Sequence, residues 1–107
     1  MNYLKTKPYR SESYRRFVAS FPCFGCKIEG YSQCAHSNHG KGLGLKVSDL
    51  ETFPLCSVRP GHMGCHQMHD LCLDMTRDQR RELEQKYVER MQRIAREHGR
   101  KEFKEAA

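Results

Sequence analysis

The spacing of apolar residues near the N-terminus predicts a helix. Four of them recur at intervals of three and four positions: Tyr14, Phe17, Val18 and Phe21. This spacing places them on one face of a helix. Ser11 or Ser13 can cap its start, and Pro22 should end it, because the residue before a proline is driven out of the helical region.

A second and longer helix is predicted over residues 77–98. Thr76 and Gln79 fit a capping box at its start, and Gly99 is placed to end it. Its apolar stripe consists of Leu83, Tyr87, Val88, Met91, Ile94 and Ala95. We expect this stripe to pack in the core against the N-terminal helix, and the tail from Arg100 onwards to fray.

Two short strands and a further helix are predicted between these helices. The strands fall in residues 31–36 and 50–58, and Pro54 favours an edge position or a strand end for the second one. Residues 65–75 begin a helix, in which positions three or four residues apart share a face. The order helix, two strands, two helices predicts an α+β fold.

A glycine-rich loop separates the two predicted strands. Gly40, Gly42 and Gly44 stand at alternate positions, which indicates a loop and not the interior of an element. The segment lacks the strand-then-helix setting of a nucleotide-binding glycine loop. With Lys41 and Lys46 beside the glycines, it would instead allow a nucleic-acid backbone to approach closely.

Length and cysteine content narrow the class of protein. A chain of 107 residues is expected to form one domain, here taken as 1–107 with its core at about 21–75. Because Lys5, Lys7 and Arg10 interrupt the first ten residues, we expect no secretory leader, and no apolar run of the sequence is long enough to span a membrane. We therefore expect an intracellular protein without membrane contact, whose six cysteines serve as zinc ligands and not as a disulfide framework.

The net charge of +6 is unevenly distributed. Residues 1–16 hold five basic residues against one acidic residue, and residues 77–107 hold ten against seven. The middle of the chain, residues 17–75, holds four against five. Basic flanks suit contact with phosphates, so the charge pattern favours DNA or RNA as a partner.

Four cysteines are candidate ligands of a structural zinc ion: Cys23, Cys26, Cys56 and Cys65. The first two form a CxxC knuckle, whereas eight residues separate the last two, and we interpret this interval as an insertion. His62 can replace one thiol, and Cys34 and Cys72 are interpreted as small buried residues. A redox pair is the alternative for the CxxC, although no βαβ pattern surrounds it.

A second cluster of candidate ligands follows the second strand. His66, His69 and Asp70 lie at helical spacing, and His36 ends the first strand. Imidazoles converging from a hairpin and a helix suit phosphodiester hydrolysis, in which a divalent ion stabilises charge on the phosphate and a neutral imidazole takes a proton from water. The alternatives are surface histidines or ligands of a purely structural zinc ion.

Three motifs resemble a known family. They are PCFGC, then CAHSNHGKGLGLKVSDLETFPLCS, then GCHQMHD. Over residues 21–70 the chain resembles the small HNH endonucleases of phages and prophages. The resemblance implies a ββα-metal core with a zinc knuckle, flanked here by the N-terminal helix and the long C-terminal helix, and metal-dependent cleavage of DNA in the cytoplasm of a bacterial host.

The resemblance also implies roles for individual residues. His36 matches the general base, and Asp49 matches the middle residue, usually Asn, which holds the hairpin loop by hydrogen bonds. His66 and Asp70 match ligands of the catalytic ion, with His69 as a competing ligand. The implied metals are a structural Zn²⁺ and a catalytic Mg²⁺, Mn²⁺, Ni²⁺ or Zn²⁺.

One position departs from the family pattern. Many relatives have Asp or His as a metal ligand just before the base, and this chain has Ala35. Either the catalytic ion has one ligand fewer, or His36 is a ligand and His39 or a water-linked group is the base. A zinc-stabilised DNA-binding or adaptor module without nuclease activity is therefore the alternative function, and a thiol redox protein is a third.

Overall fold

The computed structural model describes residues 9–37, 48–73 and 75–103. Its elements follow the predicted order: α1 (Glu12–Ala19), β1 (Ser32–His36), β2 (Thr52–Cys56), α2 (Cys65–Asp70), α3 (Arg77–Glu97) and a 3-10 turn (Lys101–Phe103). The predicted α+β class is thus confirmed. Within these ranges, no helix combines the length and apolar character that crossing a membrane requires.

Helices α1 and α3 are capped as the sequence predicts. The Ser11 hydroxyl accepts the backbone N–H of Tyr14 at the start of α1. At the start of α3, Thr76 and Gln79 exchange side-chain and backbone hydrogen bonds in a capping box. After α3, Gly99 has a φ of +70°, which glycine adopts without strain, so the helix ends there.

The two strands form an antiparallel hairpin with helices packed around it. Ser32 pairs with Cys56 and His36 with Thr52. All five residues of β2 are buried, and α1, α2 and α3 all contact this strand. Because successive side chains of a strand point to opposite faces, both faces of β2 are covered. Pro54 lies in the middle of β2, which is possible since both strands of a two-stranded sheet are edge strands.

The core lies between the hairpin, α1 and α3. Its largest fully buried apolar side chains are Tyr14, Val18, Phe53, Leu55 and Met91. The four apolar residues of the α1 face and five of the six stripe residues of α3, all but Leu83, belong to this cluster or pack against it. The predicted packing of the two helices in one core is therefore confirmed, and this core fixes the hairpin from which His36 projects.

Two expectations about element ends were wrong. The helix that starts at Cys65 ends at Asp70, so it is shorter than predicted. Residues 100–103 do not fray, because the Phe103 ring packs 5.7 Å from the Tyr14 ring and Arg100 donates a 3.0 Å hydrogen bond to the Ser13 hydroxyl. These four residues therefore cover the N-terminal end of α1.

Candidate metal centre and the adjoining groove

The four cysteines predicted as zinc ligands come together in one cluster. Their Sγ atoms all lie within 4.8 Å of one another, and Cys26 Sγ is 3.7 Å from Cys56 Sγ. A tetrahedral ion with four sulfurs at about 2.3 Å places those sulfurs about 3.8 Å apart. The cluster can therefore hold a metal ion such as zinc, and among the described residues it is the one such group of three or more ligands.

The Cys23–Cys26 segment is a tight turn around the first sulfur. The backbone N–H groups of Gly25 and Cys26 point at Cys23 Sγ over 3.2 and 3.4 Å. A Cβ atom at Gly25 would lie 3.0 Å from Cys65 Sγ, so this glycine leaves room for the fourth ligand. Cys23 and Cys56 are buried and Cys26 is exposed, which leaves the cluster open to solvent on one side.

The insertion between Cys56 and Cys65 is a closed loop, which we call the 57–64 loop. Arg59 and His62 exchange backbone hydrogen bonds of 3.0 and 2.9 Å across it. His62 does not replace a thiol as considered from the sequence, since its Nδ1 accepts the N–H of Gly64 at 2.8 Å and Cys65 provides the fourth sulfur. Gly64 has a φ of +92° and closes the loop directly before Cys65.

The thiols of the cluster have opposed pKa shifts. Burial opposes ionisation of Cys56, but hydrogen bonds from the Cys65 N–H and the Arg59 guanidinium outweigh it and lower its pKa to about 6. Burial and the neighbouring Cys23 and Cys56 raise the pKa of Cys65. Four adjacent thiols cannot all ionise without a cation among them, and thiolates are the form that binds metal. The donor set thus fits zinc.

His36 forms a hydrogen-bonded pair with Asp49. Its Nε2 lies 2.8 Å from Asp49 Oδ1, and the Asp49 side chain is fully buried. The same carboxylate accepts bonds from Arg10 (2.8 Å), Arg15 (2.5 Å) and the Ser11 N–H (2.8 Å). Asp49 therefore links the end of the hairpin to α1 and the segment before it.

These contacts determine which nitrogen of the His36 ring carries the proton. Burial would raise the pKa of Asp49, but the bonds from His36, Ser11, Arg15 and Arg10 outweigh it and lower that pKa to about 2. The carboxylate is then ionised and only accepts, so Nε2 of His36 must be the donor. Nδ1 of the neutral ring is left as the nitrogen that can take a proton.

The Asp49 contacts predict a stability loss in acid. The folded pKa of about 2 lies below the ordinary value of 3.8, so this stabilisation is complete above about pH 4 and disappears as the pH falls through 2. We expect Asp49→Asn to lower the free energy of unfolding by about 2 kcal/mol or more at pH 7.

Urea unfolding at pH 7 with saturating zinc measures this difference, because stronger acid would protonate the thiolates and release the zinc that supports the fold. Asp78→Asn, an exposed carboxylate in the first turn of α3, is the matched control. A loss of stability in Asp49→Asn no larger than that in Asp78→Asn would contradict the assignment.

His66 and Asp70 share one face of α2 and face a groove. His66 Nε2 lies 3.6 Å from Asp70 Oδ2, and His66 Nδ1 lies 2.9 Å from the amide oxygen of Gln33 on β1. That oxygen only accepts, so Nδ1 carries the proton and Nε2 is left facing Asp70. Two ligands of one ion at about 2.1 Å lie about 3 to 3.4 Å apart, which is close to the observed separation.

The groove has a volume of about 460 Å³. Its lining residues are Gln33, Ser57, Val58, His66, Gln67 and Asp70. Burial lowers the pKa of His66 and outweighs the nearby charge of Asp70, which would raise it; electrostatic interaction with His69 and His36 lowers it further. His66 is thus held in the neutral form that binds metal, and His36 is near enough to act on it electrostatically.

His69 does not join the pair that faces the groove. Its side chain is 5% exposed, its ring packs against Phe53, and its Nε2 lies 2.7 Å from Oε2 of Glu84 on α3. Positions 66 and 70 are one helical turn apart, whereas position 69 is rotated toward the core. The expectation of His69 as a third groove ligand was therefore wrong, because the core takes its imidazole.

Glu84 is a buried carboxylate partner of α2 that the sequence interpretation missed. Its side chain is 1% exposed on the buried face of α3, among the apolar residues Val88 and Met91. A charged residue in register with an apolar stripe was the available signal, since buried charges are found paired.

The remaining candidate residues of the sequence analysis lie outside the described residues or supply no ligand. Lys41, Lys46 and His39 lie outside the described residues. Ala35 is buried, and its strand position pairs with Phe53, so this position of β1 supplies no ligand. Cys34 is part-buried, and burial raises the pKa of its thiol.

The chain matches no known family model, no curated protein and no solved structure. We therefore infer function from the contacts described above.

Proposed function

We propose that the chain is a metal-dependent HNH-type endonuclease that hydrolyses phosphodiester bonds in DNA. The observation that carries the proposal is the presence of two oriented groups: His36, bonded to Asp49 at the end of β1, and the His66–Asp70 pair on α2. One group can take a proton and the other two can hold a divalent ion. Hydrolysis of a phosphodiester requires both functions.

The local architecture supports a ββα-metal core. An antiparallel hairpin is followed by α2, and the thiol cluster joins the knuckle, the end of β2 and the start of α2. Cys65 is the first residue of α2 and His66 is the second. A zinc ion in the cluster would therefore fix the start of the helix that carries the proposed catalytic ligands, as a structural site does.

The chemistry assigned to His36 is that of a general base. Nδ1 accepts a proton from the attacking water, and the ionised Asp49 on the opposite nitrogen stabilises the imidazolium that forms. Asp49 also keeps the ring oriented through this step. The substitution of Asp for the usual Asn thus supplies a negative charge in addition to a hydrogen bond.

His66 and Asp70 are the proposed ligands of the catalytic ion. When bound, Mg²⁺, Mn²⁺, Ni²⁺ or Zn²⁺ would stabilise the charge on the scissile phosphate and on the leaving 3′ oxygen. Two protein side chains are enough for an ion of the Mg²⁺ type, which is commonly held by one or two carboxylates together with substrate phosphates. The basic N-terminal and C-terminal segments, with Lys41 and Lys46, are proposed to bind the DNA backbone.

A zinc-stabilised DNA-binding or adaptor module is the second candidate. Buried Ala35 favours it, because β1 supplies no ligand where many HNH enzymes have one. This candidate predicts one tightly bound zinc ion per chain and no cleavage of DNA.

A plasmid-nicking assay across Mg²⁺, Mn²⁺, Ni²⁺ and Zn²⁺ separates the two candidates. We expect nicking in at least one of these ions, and a loss of at least about 100-fold in Asp70→Asn, since even outer-shell changes at metal sites cost about 10-fold to 100-fold. Asp78→Asn should nick like wild type, because Asp78 is exposed on α3. Absence of nicking in all four ions would favour the adaptor.

A further inference from the structure

The contact between His69 and Glu84 joins two helices that have different tasks. His69 belongs to α2, which carries the groove pair, and Glu84 belongs to α3, which packs in the core. Both side chains are almost fully buried, with exposures of 5% and 1%. A buried hydrogen bond of 2.7 Å between an imidazole and a carboxylate holds the two side chains together, because separating them would leave both buried and unsatisfied.

Arg80 adds a second link between the same helices. Its Nη1 donates a 3.3 Å hydrogen bond to the backbone carbonyl of Asp70, at the C-terminal end of α2. Its Nε lies 3.9 Å from Glu84 Oε2, one turn away on α3. A cation near the last carbonyls of a helix is favourable, so Arg80 stabilises the end of α2 that carries Asp70.

The helix α2 is too short to keep its own orientation. It has six residues, and isolated helices shorter than about 12 residues are marginal in water. Cys65 ties its first residue to the thiol cluster. At the other end, two hydrogen bonds join it to α3, one between His69 and Glu84 and one from Arg80 to the Asp70 carbonyl.

We propose that Glu84 and Arg80 are positioning residues of the catalytic ion site, which act by holding α2 so that His66 and Asp70 face the groove together. This inference rests on the proposed function. On this inference α3 has two roles: one face contributes apolar side chains to the core, and residues in its first two turns orient α2.

The experiment measures Mn²⁺ binding by EPR on the full chain with its thiol cluster loaded with zinc. We expect Glu84→Ala to weaken Mn²⁺ binding by about twofold to 30-fold, the range for a residue that is coupled to a site without touching its ligand side chains, with zinc content unchanged. Glu84→Gln keeps a hydrogen-bond acceptor for His69 and should recover most of the affinity. Glu82→Ala, an exposed glutamate on α3, is the matched control.

Arg80→Met keeps the test valid if Glu84→Ala does not fold. Arg80 is 17% exposed, so its loss disturbs the core less, and we expect Mn²⁺ binding to weaken by about threefold to tenfold, within the same range. Arg81→Met, in the next and exposed position, should bind Mn²⁺ like wild type. A purely structural role would lower the melting temperature of the Arg80 and Glu84 variants without changing their Mn²⁺ affinity.

The outcomes separate the two proposals. If wild type binds no Mn²⁺ beyond its zinc, or if Asp70→Asn binds Mn²⁺ as well as wild type, the proposed ion site fails and this inference fails with it. If Mn²⁺ binding depends on Asp70 but Arg80→Met binds with wild-type affinity, the inference alone is overturned.

Discussion

Replacing His36 by alanine should abolish DNA cleavage while leaving DNA affinity and bound zinc unchanged. A positioned general base contributes about 100-fold to 10,000-fold to a rate, and we expect a loss in this range. The fold should persist, because Asp49 keeps three of its four described donors: Arg10, Arg15 and the Ser11 N–H. The variant should therefore separate chemistry from structure.

Three measurements test this expectation. Plasmid nicking gives the rate, fluorescence anisotropy with a labelled duplex gives the DNA affinity, and elemental analysis gives the zinc content. Free imidazole added to His36→Ala should restore part of the nicking, because the cavity left by the ring adjoins Asp49. His98→Ala removes an exposed imidazole at the end of α3 and serves as the control.

Nicking by His36→Ala at the wild-type rate would contradict the assignment of His36. The base would then have to be sought elsewhere, with His39 as the first candidate on the sequence. Lost nicking without rescue by imidazole, together with lost zinc, would assign His36 a structural role through Asp49.

Replacing Cys23 by serine should remove the zinc and the fold together. Structural zinc contributes about 10 to 16 kcal/mol of binding free energy in small domains, which is comparable to the whole stability of a typical domain, about 5 to 15 kcal/mol. Cys23 Sγ is also the sulfur around which the Gly25 and Cys26 N–H groups turn. Its loss should release the knuckle and the start of α2.

Circular dichroism, elemental analysis and urea unfolding measure this effect. Cys34→Ser is the matched control, because Cys34 is a part-buried cysteine outside the cluster and should keep one zinc ion per chain. A Cys23→Ser chain that retains stoichiometric zinc and cooperative unfolding would contradict the prediction. A metal-free native chain with a reversible Cys23–Cys26 disulfide would instead support a thiol redox protein.

The sequence predicts well those features that depend on neighbouring residues. The Ser11 cap, the Thr76–Gln79 capping box and the turn at Gly99 each involve groups within a few residues of one another. The four cysteines could also be grouped from the sequence, because few residue types bind zinc and two of these cysteines have knuckle spacing.

The contacts that orient His36 and α2 join residues far apart in the chain, and the sequence does not specify them. Arg10 reaches Asp49 across 39 positions, and His69 reaches Glu84 across 15. Helical spacing places His69 near His66 and Asp70 but does not decide which side chain turns to the core. That choice depends on the packing of α3, which leaves a carboxylate beside His69.

Gly64 shows which part of the 57–64 loop can vary between homologues. A Cβ atom at Gly64 would lie 2.6 Å from the Ser57 carbonyl carbon, whereas one at Gly61 would meet no atom within 4 Å. The base therefore requires glycine at position 64, whereas Pro60 and Gly61 are exposed at the tip, and exposed loop tips tolerate insertions. Pattern searches that demand a fixed short interval between the last two sulfurs would overlook chains built this way, and a search that allows a variable interval closed by glycine should recover them.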